Sequence, residues 1–315
     1  MELIDNWGQQ ATGSRPRTVV TLGVFDGLHL GHQGIIYSVV KSAAKLKAQS
    51  LVLTFDPHPL QILAKNVAPP LLTTVQQKAE VMAALDLNRL GVLRFTREMA
   101  AIEPLIFLNL YLTKFIEPVA VLLGPDFSFG KDARGDAKTI RAWLHANNPK
   151  ASLTVVESIG NEQGIFASSQ IRQNLRDGLV ENAALALGRF YRLTGRVVHG
   201  LARGRQLGFP TANLGQIKQL IPGLGVYATR VVIEGITYDS MTSIGYNPTF
   251  REKMQTVETN IFDFDHFIYN RELSIDFVAR LRTMVNFNSV GQLVCQLEQD
   301  KEMARRLHNR LKQKK

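Results

Sequence analysis

Two histidines stand three residues apart in a glycine-rich stretch near the N-terminus. His29 and His32 lie in TLGVFDGLHLGHQGII, residues 21–36, which holds four glycines and continues an apolar run. Two imidazole rings at this spacing could bind a metal ion, pack in a core or contact a phosphate. No third Cys, His or carboxylate accompanies them at a metal-site spacing, so the pattern favours a nucleotide phosphate.

The same stretch reads as a turn between a strand and a helix. Its glycines let the backbone approach a ligand closely, because they carry no Cβ. The helix that begins near residues 30–33 turns its unpaired N–H groups and positive dipole end toward that ligand. Two ring donors there suit adenylyl transfer, in which negative charge builds up at the α-phosphorus.

A second glycine-rich block, GRVVHGLARGRQLGFPTANL, covers residues 195–214. Its glycines permit a flexible loop over phosphates. Thr211 and Asn213 alternate on an extended segment, so their oxygens point to the same side. A hydroxyl and an amide oxygen are plausible hard ligands for Mg²⁺ bound to ATP phosphates. The alternative is a simple turn with a strand after it.

The elements that must position these residues differ between the two halves of the chain. From Thr18 to about Ala186, short apolar runs alternate with helical patterns, which predicts a doubly wound parallel sheet with its ligand beyond the carboxyl ends of the strands. The five apolar runs are typical of strands buried on both faces. After Leu185–Tyr191, short β-like runs separated by turns predict a small barrel and a terminal helix.

The bulk composition is that of a soluble two-domain protein. The chain has 315 residues, of which 45% are hydrophobic and 20% charged. The single cysteine, Cys295, excludes an internal disulfide and is consistent with a reducing, cytoplasmic setting. The N-terminus does not resemble a secretory signal, and no apolar run is long enough to span a bilayer.

The formal net charge of +10 raises the possibility of a nucleic-acid partner. Much of that charge lies in the last fifteen residues, KEMARRLHNRLKQKK, which contain seven Lys or Arg and one Glu. No nucleic-acid-binding motif is recognisable elsewhere. We therefore predict that this tail is the solvated end of a helix, whether frayed or intact. We do not expect it to make a specific nucleic-acid contact.

The first half resembles the nucleotidylyl transferases and, through GVFDGLHLGHQ, the bacterial bifunctional riboflavin kinase/FAD synthetases. FDPHP (55–59), GPDFSFGKDARGD (124–136) and ASSQIRQNL (167–175) match further motifs of that family. The resemblance implies that His29, His32 and Arg172 are catalytic. The ATP contacts that it implies are Gly23, Phe25, Asp26, Gly31, Ser168 and Ser169. The flavin contacts are Phe55, His58, Asp126, Phe127 and Phe129, although core packing is a close alternative for either of the last two.

The block at 195–214 closely resembles the riboflavin kinase signature, and PGLGVYA (222–228) and SIGYNPTF (243–250) follow in the family's order. The resemblance places the general base at Glu258, and a primary alcohol does need a carboxylate to accept its proton. The implied ATP contacts are Gly200, Arg203, Gly204, Gly208 and Pro210, with Mg²⁺ on Thr211 and Asn213. The chain departs from the family pattern at Ser169, Asn260 and FIYN (267–270).

The resemblance thus predicts an FMN adenylyltransferase domain at 1–186 and a riboflavin kinase domain with a Greek-key barrel at 187–315. The chain would make FMN from riboflavin and Mg-ATP, then FAD and pyrophosphate from FMN and a second ATP. Expected partners are these small molecules, with no membrane and no specific nucleic acid, and a monomer or weak oligomer. Rival hypotheses are a transferase with another acceptor, and a flavin-sensing or RNA-binding protein on the same scaffold.

Overall fold

The computed structural model describes residues 1–9, 13–157, 159–161, 164–200, 204, 207–246 and 255–313. The chain forms two compact units, Met1–Ala167 and Ser168–Lys315. Within the described ranges, no helix has the length and apolarity needed to cross a bilayer.

The first unit is built on a six-stranded parallel sheet in the order β1-β4-β3-β2-β5-β6. The neighbours of β2 are β3 and β5, so the first strand of the predicted pattern lies in the middle of the sheet. This confirms the predicted parallel architecture. The strands are β1 (Glu2–Ile4), β2 (Arg17–Leu22), β3 (Gln49–Asp56), β4 (Arg89–Arg94), β5 (Glu117–Leu123) and β6 (Ser152–Val155).

One expectation about these strands is wrong. The central strands are buried on both faces, but Ser152, Thr154 and Val155 of β6 are exposed. The reason is position, because β6 is the last strand of the sheet and has a neighbour on one side only. The strand β1 was not predicted, and it pairs with β4 at the opposite edge. Two short strands, β7 (Gly160–Asn161) and β8 (Gly164–Ile165), form a separate hairpin.

Helices cover the sheet of the first unit. Their apolar faces supply its core, as in α1, where Ile35, Ile36, Val39 and Ala43 are buried. One helical segment is divided, because α5 is followed directly by a π-helical turn at Asn109–Thr113. The helices are α1 (Leu30–Leu46), α2 (Pro59–Leu63), α3 (Val75–Ala83), α4 (Arg97–Ala100), α5 (Pro104–Leu108) and α6 (Ala137–Asn147).

The second unit contains a closed antiparallel barrel in the order β10-β13-β12-β11-β14-β9. Because β14 returns beside β11 after the β11–β12–β13 meander, these four strands form the predicted Greek key. A hairpin joins β11 to β12 through Glu234 and Gly235, whose positive φ angles match a tight two-residue turn. The strands are β9 (Tyr191–Val198), β10 (Ala212–Gly215), β11 (Gly225–Ile233), β12 (Ile236–Tyr246), β13 (Gln255–Ile261) and β14 (Glu272–Arg282).

The basic tail belongs to the helix α9 (Val290–Gln313), so it is helical as predicted and is not frayed among the described residues. Arg306 and Arg310 are exposed, as expected for a solvated helix end, but one face of the helix is buried. Ala304 and His308 are fully buried against the barrel. The Arg305 guanidinium donates to Asp263, and Lys312 donates to Asp239 at 2.6 Å. Two cations of this helix therefore pair with carboxylates of the barrel, which a count of charges along the chain does not reveal.

Two further helices, α7 (Ser168–Arg176) and α8 (Val180–Leu187), precede the barrel in the second compact unit. The Gly223 amide donates to the Leu175 carbonyl at 2.8 Å, and Glu181 accepts from the Arg280 amide at 2.9 Å. These bonds explain why the compact units divide at 167/168, earlier than the domain boundary predicted at 186/187. The functional boundary itself stays a prediction.

Candidate functional site

Three predicted motifs of the first unit follow adjacent parallel strands. The histidine motif follows β2, FDPHP follows β3, and GPDFSFG follows β5. Since β2 lies between β3 and β5 and all three run parallel, their carboxyl ends meet at one edge of the sheet. The sheet therefore brings together segments that lie more than one hundred residues apart in the chain.

His29 is the N-cap of α1. Its Nδ1 atom accepts from the His32 amide at 3.3 Å, so the neutral ring carries its proton on Nε2. The rings of His29 and His32 stack with centroids 3.7 Å apart and an angle of 21° between their planes. A Cβ at Gly31 would lie 3.0 Å from Nδ1 of His29, so glycine there leaves room for the ring.

The ring of His32 has one nitrogen atom that a ligand could contact. Its Nδ1 atom is buried and has no hydrogen-bond partner among the described residues. Burial, followed by the positive charges of His29 and Lys78, lowers the pKa of His32 to about 3. A buried polar atom without a partner is uncommon in folded proteins, and a phosphate oxygen or a water molecule would satisfy it.

Two residues predicted to contact ATP instead support the histidine turn in this structure. The Asp26 carboxylate is buried and accepts from the Leu72 and Thr73 amides, each at 3.0 Å. The Phe25 ring is buried in the core and meets the His32 ring edge-on, with centroids 5.3 Å apart. These contacts fix the turn. A direct contact of either residue with ATP stays a prediction.

Lys78 is a residue of this site that the sequence analysis missed. It lies on α3, is 5% exposed, and donates from Nζ to the Val24 carbonyl at 2.7 Å. Burial lowers the pKa of its ammonium, while Asp26 and Asp56 raise it. In the sequence this lysine is part of an ordinary amphipathic helix pattern. One signal was available, because Lys78 lies four residues before Met82 and therefore on the same, apolar face of the helix.

The predicted flavin contacts have different environments. Phe129 is buried in the core and stacks on the partly buried Phe127, with centroids 5.5 Å apart. The packing alternative therefore holds for Phe129, and Phe127 is the more accessible ring. His58 caps α2 by accepting from the Leu60 amide at 3.2 Å. The two remaining members of the set are the partly buried Phe55, which meets Phe95 edge-on, and the exposed Asp126.

The second nucleotide signature lies on α7, in the compact unit that contains the barrel. Ser168 and Ser169 open this helix, and Ser169 is exposed. The Arg172 side chain is buried, one turn further on. The catalytic role of Arg172 stays a prediction.

In the second unit, the predicted base and a predicted metal ligand are brought together by strand register. Glu258 of β13 lies directly opposite Asn213 of β10, and directly opposed residues on antiparallel strands share a face. The glycines pack against the same polar groups. A Cβ at Gly200 would lie 2.3 Å from Nδ2 of Asn213, and one at Gly204 would lie 3.4 Å from Oγ1 of Thr211.

The departure at Asn260 has a structural role. This buried side chain donates from Nδ2 to the Pro210 carbonyl at 2.7 Å, which holds the start of the Pro-Thr-Ala-Asn segment. Gly208 has a φ of +80°, a backbone conformation that favours glycine. Arg203, the remaining predicted ATP contact, and residues 247–250 of SIGYNPTF lie outside the described residues.

A cavity of about 360 Å³ opens beside this segment. Thr211 and Thr259 line it from the barrel, and the loop at 264–269 lines it from the other side. The Tyr269 ring of that loop stacks on His199 with centroids 4.1 Å apart. Asn270 has a φ of 62°, a left-handed backbone conformation that asparagine adopts more readily than most residues other than glycine.

The donor set of Thr211 and Asn213 fits Mg²⁺ carried by a nucleotide. Both supply neutral oxygens, and glycines face both side chains where a Cβ would fill the space. No cluster of three or more His, Cys, Asp or Glu side chains suited to a metal ion occurs among the residues that the structure describes. A metal site here would therefore depend on the phosphates for most of its negative charge.

Comparisons with known proteins match both halves of the chain. A family model described as FAD synthetase matches residues 12–170, and one described as riboflavin kinase matches residues 187–308. The bifunctional riboflavin kinase/FMN adenylyltransferase of Bacillus subtilis is 37% identical over 94% of each chain. The enzyme of that name from Listeria monocytogenes is 38% identical over 91% of each chain, and that from Escherichia coli is 30% identical over 97% of each.

A solved structure shares the whole architecture. It is titled a macrolide-efflux protein from Streptococcus pneumoniae, has a TM-score of 0.84 and is 31% identical, covering 97% of this chain and 99% of that one. The similarity extends over both compact units, as it does for the curated relatives. On these matches the chain belongs to the family of bifunctional riboflavin kinase/FMN adenylyltransferases.

Proposed function

We propose that the two activities of this family use separate sets of residues in this chain, adenylyl transfer at His29 and His32, and phosphorylation at Glu258 and Asn213. The observation that carries the assignment is that the stacked rings lie in the first compact unit, whereas the Glu258–Asn213 pair lies in the second. Neither set of residues fits a flavin-sensing or RNA-binding role better than it fits catalysis.

In the adenylyl transfer step, a phosphate oxygen of FMN attacks the α-phosphorus of ATP and pyrophosphate leaves. His29 donates from Nε2 and His32 supplies its unpartnered ring atom at the centre where negative charge develops. The N-terminus of α1 adds its dipole to this stabilisation. Phe127 is the accessible surface for the flavin ring, while Arg172 and the hydroxyls of Ser168 and Ser169 are assigned to the departing pyrophosphate.

In the kinase step, the primary alcohol of riboflavin attacks the γ-phosphorus of ATP and ADP leaves. Glu258 accepts the proton of that alcohol as the new O–P bond forms. Thr211 and Asn213 would hold Mg²⁺, which neutralises charge on the transferred phosphate when bound. We assign Gly200, Arg203, Gly204 and Gly208 to the ATP phosphates, and Asn260 keeps Pro210 and Thr211 in place.

Several coarser assignments accompany this proposal. We assign FMN adenylyltransferase activity to 1–186 and riboflavin kinase activity to 187–315, in line with the two matched ranges. The partners are ATP, riboflavin and FMN, with no specific nucleic acid, and the chain acts as a monomer or weak oligomer. A cytoplasmic location rests on the single cysteine.

The test supplies the purified full-length chain with ATP and either riboflavin or FMN, with and without Mg²⁺, and separates the flavins by chromatography. We expect FAD from both substrates with Mg²⁺, and no FMN from riboflavin after chelation. An Asn213→Ala variant should require more Mg²⁺ for FMN formation than the wild type, and should make FAD from supplied FMN normally. An unchanged Mg²⁺ requirement would contradict the assignment of Asn213.

A further inference from the structure

A buried lysine beneath the histidine turn has no part in the mechanism above. Lys78 is 5% exposed, and its ammonium group donates to two oxygen atoms. Burying an ammonium group costs several kcal/mol unless hydrogen bonds and charges compensate, so a lysine at such a position calls for an explanation. A methionine would fill the same space next to Ala79 and Met82 without that cost.

The hydrogen bonds of Lys78 are directed at the start of the histidine turn. Its Nζ atom donates to the Val24 carbonyl at 2.7 Å and to the Thr54 hydroxyl at 3.4 Å. The Thr54 hydroxyl in turn donates to the same Val24 carbonyl at 2.9 Å. Val24 is the second residue after β2, five residues before His29, so this pair of donors fixes the point at which the chain enters the turn.

The middle of the turn is tied to the same segment by opposite charge. Asp26 accepts from Leu72 and Thr73, which immediately precede the capped N-terminus of α3, and the Gly27 amide donates to the Thr73 hydroxyl at 3.0 Å. Lys78 of α3 thus contacts the start of the turn, and Asp26 of the turn contacts the residues before α3. The start and the middle of the turn are therefore held by one short stretch of chain.

Charged or titratable groups of the turn, of β3 and of α1 lie around Lys78. Asp26 of the turn and Asp56 at the end of β3 are the anions, and His32 of α1 is a titratable neighbour, itself stacked on His29. The positive charge of Lys78 contributes to the lowered pKa of His32. Lys78 therefore acts on the histidine pair electrostatically as well as through the backbone.

We propose that Lys78 is a positioning residue for adenylyl transfer, fixing the entry of the histidine turn through Val24 and placing a buried positive charge near the two rings. The inference rests on the assignment of His29 and His32 to that reaction. It explains why the chain keeps a lysine where packing alone would favour an apolar side chain. The cation also adds to the positive potential at the site where the α-phosphate gains charge.

The test compares full-length Lys78→Met and Lys78→Arg with Lys41→Met, which removes an exposed lysine of α1. In the FMN-to-FAD reaction we expect kcat of Lys78→Met to fall roughly tenfold to a hundredfold with a smaller change in KM, and Lys78→Arg to recover part of it. The pKa of His32, followed by imidazole NMR, should rise in Lys78→Met and stay low in Lys78→Arg and Lys41→Met. Riboflavin phosphorylation should be unchanged in all three.

Thr54→Val keeps the lysine and removes the bridging hydroxyl, so it serves where Lys78→Met does not fold; we expect a smaller fall in kcat. A wild-type kcat and an unchanged His32 pKa in folded Lys78→Met, or in Thr54→Val where the methionine variant is unfolded, would overturn the proposal. An equal loss of both activities in Lys78→Met indicates misfolding, and the result for Thr54→Val then decides. If His29→Asn retains FAD synthesis, the site assignment fails instead, whatever Lys78 does.

Discussion

The two units assemble polar groups for phosphate chemistry in different ways. In the parallel sheet, the histidine turn gains its neighbours from β3 and β5, and charged groups such as Asp26 and Lys78 lie buried beneath it. In the barrel, Glu258 and Asn213 meet because two antiparallel strands place them opposite each other. The first arrangement depends on loops and buried charges, whereas the second depends on register and on glycines that leave space.

This difference predicts that variants separate the two activities. Changes at the barrel pair should abolish FMN formation and spare FAD formation from supplied FMN. Changes at the histidine turn should do the reverse, so that FMN accumulates. The following predictions run from the largest expected effect to the smallest.

Glu258→Gln should have the largest effect. The amide cannot accept the proton of the alcohol, so riboflavin phosphorylation should fall by roughly a hundredfold to ten-thousandfold. FAD synthesis from FMN should be unchanged, as flavin chromatography would show. Glu272→Gln, at an exposed end of β14, is the matched control. A near-normal rate of phosphorylation in Glu258→Gln would show that another group is the base.

His29→Asn should cut FAD synthesis by roughly a hundredfold to a thousandfold, because a donor at the transition state is lost. Asn is as good an N-cap as any residue, so the helix should keep its stability. His29→Ala should lose the same activity and about 1 kcal/mol of stability as well. Tryptophan fluorescence during urea unfolding measures that loss, since Trp7 and Trp143 both lie in the first unit. Normal FAD synthesis by His29→Asn would disprove the role.

Gly200→Ala should impair the kinase about tenfold or more, because the added Cβ would lie 2.3 Å from the Asn213 amide and would displace it. Gly291→Ala, where a Cβ meets nothing within 4 Å, is the control. Initial rates of FMN formation across a Mg²⁺ titration give the comparison. Equal rates for the two variants would show that riboflavin phosphorylation does not depend on the position of the Asn213 side chain.

Asn260→Ala should raise the KM for ATP in the kinase reaction. The Pro210 carbonyl loses its 2.7 Å donor, a change that costs about 1–3 kcal/mol when the group stays buried. Asn260→His supplies a ring donor in place of the amide, so it should lie between Asn260→Ala and the wild type. Steady-state kinetics with varied ATP distinguish the three. A histidine variant worse than alanine would rule out the donor role.

His32 should make the stability of the first unit depend on pH. Its pKa is lowered to about 3 in the fold, whereas an unfolded histidine titrates near 6.5. Below that pH the unfolded chain binds a proton that the folded chain does not, so stability falls as the pH drops from about 6.5 toward 3. His32→Gln should weaken this dependence by at most about 1.4 kcal/mol per pH unit. Tryptophan-detected unfolding at several pH values measures it, and identical slopes would contradict the lowered pKa.

The sequence by itself determined the fold class of each half and named the candidate site residues, whose roles stay predictions. Residues 18–22 and 50–55 are apolar enough to be recognised as buried strands, and the spacing of His29 and His32 identifies a strand-to-helix turn. Local patterns of this kind are readable because side-chain period and glycine positions reflect local backbone geometry. The edge position of β6 and the π-helical turn after Leu108 were not readable in this way.

Only the tertiary structure decided which residues meet. The burial of Lys78 beneath the turn, the donor from Asn260 to Pro210 and the pairing of the basic tail with Asp239 and Asp263 all join segments far apart in the chain. The sequence places each of these side chains on a helix or strand but not against its partner. Burial and charge pairing depend on how elements pack, and that information is spread over the whole chain rather than held in any one motif.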